Sequence, residues 1–257
     1  MKTRTRLWIV GVLWAVALSG PAATHYLVEP GTPGVTPENP YTNWETAATS
    51  VIEVIAAAGT NLDIPRIILV SNGVYVLTNT VTLSAAVSLK GFNGPEASIF
   101  DGNDLYRFEL NAADGVLDSL TISNGAHRTD NKGGGGIRIV RGTVTNCIIT
   151  HCTATNGGGG IVFDTTTSTY KGTVADNRSL HNTATGHGGG IFLNNYATTV
   201  TIENTRIISN SCTSSGGGIR HAGNYKMVVR NCLIAENTAN AYGGGIYIAS
   251  TNIAIAN

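Results

Sequence analysis

The sequence predicts an all-β solenoid, a chain that climbs as stacked coils of short strands. Three observations carry that prediction. A glycine triplet followed by isoleucine returns at Ile137, Ile161, Ile191, Ile219 and Ile246, in steps of 24, 30, 28 and 27 residues. A phrase recurring at such a period marks a pile of similar units, none of which buries its apolar side alone. The residues between are β-formers in short alternating runs bounded by Gly, Asn, Thr and Ser, as at Val144, Ile149, Ile202, Ile207, Val229 and Ile234. No stretch holds a sustained 3.6-residue apolar period.

A second phrase precedes each triplet, at 146–154, 176–184, 204–212 and 231–239, with 118–126 read as an earlier, diverged copy. Its Asn/Asp position lies six residues before a second turn position, Asn124, Cys152, Asn182, Asn210 or Asn237. From there to the isoleucine is nine residues in four copies and thirteen in the first, where 127–132 carries an insert. From the isoleucine to the next Asn/Asp the gap is 9, 15, 13 and 12 residues, so one corner of the unit varies. Glycine triplets supply backbone angles that side chains forbid. Asparagine tolerates the left-handed region and bonds local backbone. Equal positions on stacked coils lie about 4.8 Å apart, so repeated asparagines are expected to form an amide ladder.

This pattern resembles right-handed parallel β-helix proteins of the pectin-lyase-like kind. More narrowly, a GGGI phrase preceded by Ile-x-x-Asn, here Ile207-Ile208-Ser209-Asn210 and Ile234-Ala235-Glu236-Asn237, is similar to the repeat of chlamydial polymorphic outer-membrane proteins and related bacterial surface proteins. The resemblance covers residues 67–257. Ser179 and Cys152 depart from the motif. It implies a fold more than an activity.

In chain order, residues 1–22 read as a secretory signal: Lys2, Arg4 and Arg6, an apolar run at 7–18, then Gly20-Pro21-Ala22 before a cleavage point. The run is short for a membrane span. Residues 23–44 look irregular. Ser50 and Glu53 have capping-box spacing ahead of Val54 and Ile55, with Gly59 beyond, predicting a helix over 49–58. With Trp44 it is the expected cap of the first coil, whose apolar end needs a cover. Runs at 67–70, 74–77, 81–83, 87–89, 98–102, 107–110 and 116–122 read as strands of the first coils. Asn257 falls near where the next repeat's Asn would sit, so the chain reads as a fragment whose anchor lies downstream.

Charged residues make up 12% and the formal net charge is zero, which argues against a nucleic acid partner, since that calls for a basic patch. The fixed gaps and 42% apolar content argue against disorder. The four cysteines include no CxxC pair, so no zinc site is expected. Cys147 and Cys232 lie three coils apart, too far for a bridge, and small buried core residues are the simpler reading than a disulfide.

Three features are candidates for a site. Tyr170, Tyr196 and Tyr225 occupy the variable corner, where they either face a sugar chain or pack over their own turns. The residues after each isoleucine, Arg138, Val162, Phe192, Arg220 and Tyr247, should point outward as one exposed row suited to a glycan or partner. His151 and His181 sit on neighbouring coils but lack an obvious third metal ligand, and no cofactor is expected. Asp101, Asp104, Asp114, Asp118, Asp130, Asp164, Asp176, Glu203 and Glu236 are scattered rather than paired across a bond. Asp118 and Asp176 are read as sharing a repeat position. The sequence therefore predicts an exported, cell-surface structural or adhesive β-helix that presents a rigid face to glycans or partners. Its only membrane attachment would be the downstream anchor. The alternative is a polysaccharide lyase or glycoside hydrolase of the same fold.

Overall fold

The computed structural model describes residues 23–61, 65–128, 133–164, 171–194, 199–223, 226–249 and 253–256. The signal-like segment, Asp130, Tyr170, Tyr196, Tyr225 and Asn257 lie outside them. The described chain is a parallel solenoid in which the isoleucine count sets the register: Ile137, Ile161, Ile191, Ile219 and Ile246 pair in one column. The first four are fully buried and Ile246 half-buried. From Ile161 to Ala239 each coil carries four short strands, whereas in the coil just below the first two are merged as Ile137–Thr145. In one coil the four are Ile191–Leu193, Thr199–Glu203, Arg206–Ile208 and Ser211–Cys212. The first two belong to a 14-stranded sheet, and the others to sheets of seven and five strands. Alternation turns Ile191, Leu193, Val200, Ile202 and Ile207 into one continuous core.

The turns follow a rule that the asparagines alone do not reveal. At the first corner Asn146, Asp176, Asn204 and Asn231 are left-handed, with φ between 49° and 57°. At the second corner the left-handed residues are His151, His181, Ser209 and Glu236. The asparagines that follow them, Asn182, Asn210 and Asn237, turn inward. Asn182 and Asn210 each donate through Nδ2 to Oδ1 of the next asparagine up, at 3.0 Å. They also donate to Ile149 O and Ser179 O at 2.9 and 2.8 Å. Cys152 ends the ladder, its amide donating to Asn182 Oδ1 at 2.9 Å. A similar buried position, Asn177, serves the first corner and accepts from the Cys147 amide at 2.7 Å.

The first copy is shifted by one residue from the sequence count. Thr145 pairs with Asp118 and Ile148 with Thr121. Ser119 therefore takes the place of Asn146, and Asn124, left-handed at 51°, matches His151 rather than the asparagine ladder. Asp118 and Asp176 accordingly hold different positions; Asp118 pairs instead with Lys90 at 3.1 Å.

Only the first glycine of each triplet, Gly158, Gly188, Gly216 and Gly243 among them, has positive φ. The second and third lie where the next coil's backbone comes close. Gly189 donates to Gly216 O at 3.2 Å and Gly190 to Gly217 O at 3.1 Å.

At the other end, Ala23–Leu27 is a strand paired with Arg66–Val70, so the sheet begins inside the stretch that reads as irregular. His25 and Leu27 are its buried alternate pair. The helix spans Val51–Thr60, two residues later than expected at both ends. Ser50 caps it, and Gly59 lies inside it. Val54, Ile55 and Ala58 bury its inner face in the core shared by the first coils. Trp44 lies edge-on to Tyr26 and Phe92, at 4.5 and 5.6 Å.

Candidate functional site

The residues after each isoleucine form one column: Thr82, Glu109, Arg138, Val162, Phe192, Arg220 and Tyr247. They point away from the core, as strand alternation requires, but the column is not exposed throughout. Val162 is 0% and Phe192 5% accessible. The glycine corner of the coil beneath folds back over each of them. A Cβ on Gly134 would stand 2.5 Å from Val162 Cγ1, and one on Gly157 2.5 Å from Phe192 Cδ1. The missing side chains let the corner lie on the strand.

Below this covered stretch the column is ionic. Arg138 donates to Asp164 Oδ2 from Nε and Nη2 at 2.9 and 2.7 Å, and its Nη1 faces Glu109 Oε2 at 3.5 Å. Arg107 holds the other Glu109 oxygen at 2.5 Å and donates to Gly134 O at 3.3 Å. Two guanidinium groups and two carboxylates alternate, so each buried charge is compensated. Glu109 is missing from the carboxylates that the sequence singles out, and its partner Arg138 comes from the next coil.

Above the covered stretch the column opens. Arg220 lies 5.1 Å from the centre of the Tyr247 ring, and Tyr242 stacks on Tyr247 at 5.9 Å with 25° between planes. Tyr242, at the corner of the last described coil, is 67% exposed. Arg220 Nη1 donates to His187 Nδ1 at 2.8 Å. A guanidinium only donates, so His187 accepts there and is neutral, with its proton on Nε2. Desolvation first, then the Arg220 charge, pull the His187 pKa down. Burial likewise lowers that of Arg220. The Arg220 Nε is buried without a hydrogen-bond partner.

His187 and Tyr242 escape the sequence reading. They occupy the position just before the triplet, where backbone bonds stack Gly157, His187, Ser215 and Tyr242 on successive coils. The signal is that this position varies immediately before three glycines that do not.

The remaining candidates resolve differently. His151 and His181 are exposed rings stacked at 5.3 Å, and the row continues as a Ser209–Glu236 hydrogen bond of 2.9 Å. No group of three metal-ligating side chains occurs among the described residues. The four cysteines are free. Burial pushes the Cys147 and Cys152 thiols up to about 12, which leaves them unreactive near neutral pH.

A family model described as a right handed beta helix region matches residues 72–257, and the chain belongs to that family. The coils therefore wind right-handed. A search of curated proteins returns no match.

Proposed function

We propose that this β-helix is an exported surface protein with a structural or adhesive role, and that its upper coils hold a glycan. The basic start and apolar run at 7–18 support export. The observation that carries the glycan reading is the open Tyr242–Tyr247 stack with Arg220 against it. Aromatic rings offer flat apolar area to a sugar face, and tyrosine adds a polar tip. The action is geometric: a rigid stack holds the rings at fixed spacing, so little order is lost on binding.

The test is binding to an immobilised glycan panel. Tyr242→Ala and Tyr247→Ala should each weaken the bound members by roughly tenfold, the scale of one lost aromatic contact. Unchanged binding in both variants would remove this patch from the proposal.

A second reading, the carbohydrate-active enzyme, is favoured by the convergence of Glu109 and Asp164 on Arg138. It ranks lower because both carboxylates are already bonded to arginine rather than facing an open cleft. Turnover of a panel polysaccharide that disappears in Glu109→Gln would promote it.

A further inference from the structure

We infer that the upper site selects sugars bearing an anionic substituent, a carboxylate or a sulfate ester, and that Arg220 is the selecting residue. This rests on the glycan reading above and names the chemistry of what is bound.

The protein carries its own comparison. Arg138 and Arg220 stand in one column, three coil steps apart. Arg138 takes a carboxylate from the coil below, Glu109, and another from the coil above, Asp164. At Arg220 the residue below is Phe192. The place of Asp164 is taken by Ala249: Asp164 donates its amide to Ile139 O, and Ala249 donates in the same way to His221 O. The same guanidinium position therefore has two carboxylates low in the stack and none high in it. Among the described residues no acidic side chain forms a salt bridge with Arg220.

The described residues around Arg220 leave its charge uncompensated. Its described partners are a neutral imidazole and a tyrosine face. Its Nε is shielded from water and unbonded. A partly desolvated cation with no described carboxylate beside it is stabilised when an anion reaches the guanidinium. The planar fork suits the paired oxygens of a carboxylate or a sulfate. Beside it, the stacked tyrosines would take the sugar ring that bears that group. The chain as a whole has no net charge, so diffuse attraction of polyanions is not the source of such selectivity.

Calorimetry with four probes tests this: heparin hexasaccharide, its desulfated form, its carboxyl-reduced form, and neutral cellohexaose. The intact heparin hexasaccharide should bind more tightly than cellohexaose, and whichever modified form keeps that advantage identifies the anion. Arg220→Gln should lower heparin hexasaccharide affinity by about tenfold or more, as for a lost charge-assisted hydrogen-bond pair. Cellohexaose affinity should fall by less, so that the gap between the two probes narrows in this variant. Ala249→Asp leaves Arg220 in place but supplies the missing internal carboxylate. It should reduce heparin hexasaccharide binding to a similar extent, and matched thermal melts would show that both variants fold. Wild-type affinity in Ala249→Asp, or equal affinity for heparin hexasaccharide and cellohexaose, overturns the inference. Equal binding leaves the glycan reading standing, whereas no binding of any probe removes both.

Discussion

Replacing Gly189 by alanine is expected to abolish the folded solenoid or lower its stability by more than about 4 kcal/mol, beyond the usual range for one substitution. The added Cβ would sit 2.3 Å from Ser211 O and 2.6 Å from Gly217 O. Both are backbone atoms of the next coil, so no side chain can turn aside. Relief requires the coils to part, which breaks the bonds from Gly189 and Gly190 to Gly216 O and Gly217 O. Gly94→Ala is the control. Gly94 has φ of +94° but nothing within 4 Å of a Cβ. It should show only the backbone strain of a side chain at positive φ, about 1–2 kcal/mol. Denaturant melts of the two variants separate close approach from conformational strain. Equal losses would mean that the close approach of the next coil to Gly189 costs no more than backbone strain at an open turn.

Asn210→Leu should cost about 3–6 kcal/mol, the sum of several buried groups left unpaired. Asn210 is fully buried, and each of its amide hydrogens and both acceptor directions are in use. Nδ2 donates to Ser179 O and Asn237 Oδ1, while Oδ1 accepts from the Asn182 backbone and side-chain nitrogens. Leucine has a similar size but satisfies none of these. It orphans groups on the coil below and the coil above, each worth about 1–3 kcal/mol when buried unpaired. Cys152→Ala, at the foot of the same ladder, removes only weak sulfur contacts to Thr150 O and Ile122 O and should cost less. An Asn210→Leu variant that melts with the wild type would show that the ladder is ornament rather than support.

How far the sequence reaches can be seen at particular residues. Counting from isoleucine to isoleucine places the inward column correctly, because a coil's fixed sides leave only one corner free to vary. The count slips by one at Asp118. The first copy has no inward asparagine, and Asn124 in a left-handed turn imitates one. Alternation gives the direction of Val162 and Phe192 but not what covers them, since a glycine corner leaves no residue pattern that says where it lies. The Arg138 network draws Glu109, Arg138 and Asp164 from three coils, and the Arg220 site needs His187 and Tyr242 from the corner column. Both become visible only once the coils are superposed.

The bonds joining one coil to the next run along the axis of the stack, and the backbone of each coil bonds to those directly above and below it. A load applied to the two ends therefore acts on one inter-coil seam at a time instead of shearing many together. Such a column would lengthen by shedding turns singly, each releasing on the order of 90 Å of extended chain for a repeat of this size. A molecule built this way yields gradually under tension, while the turns not yet reached stay folded.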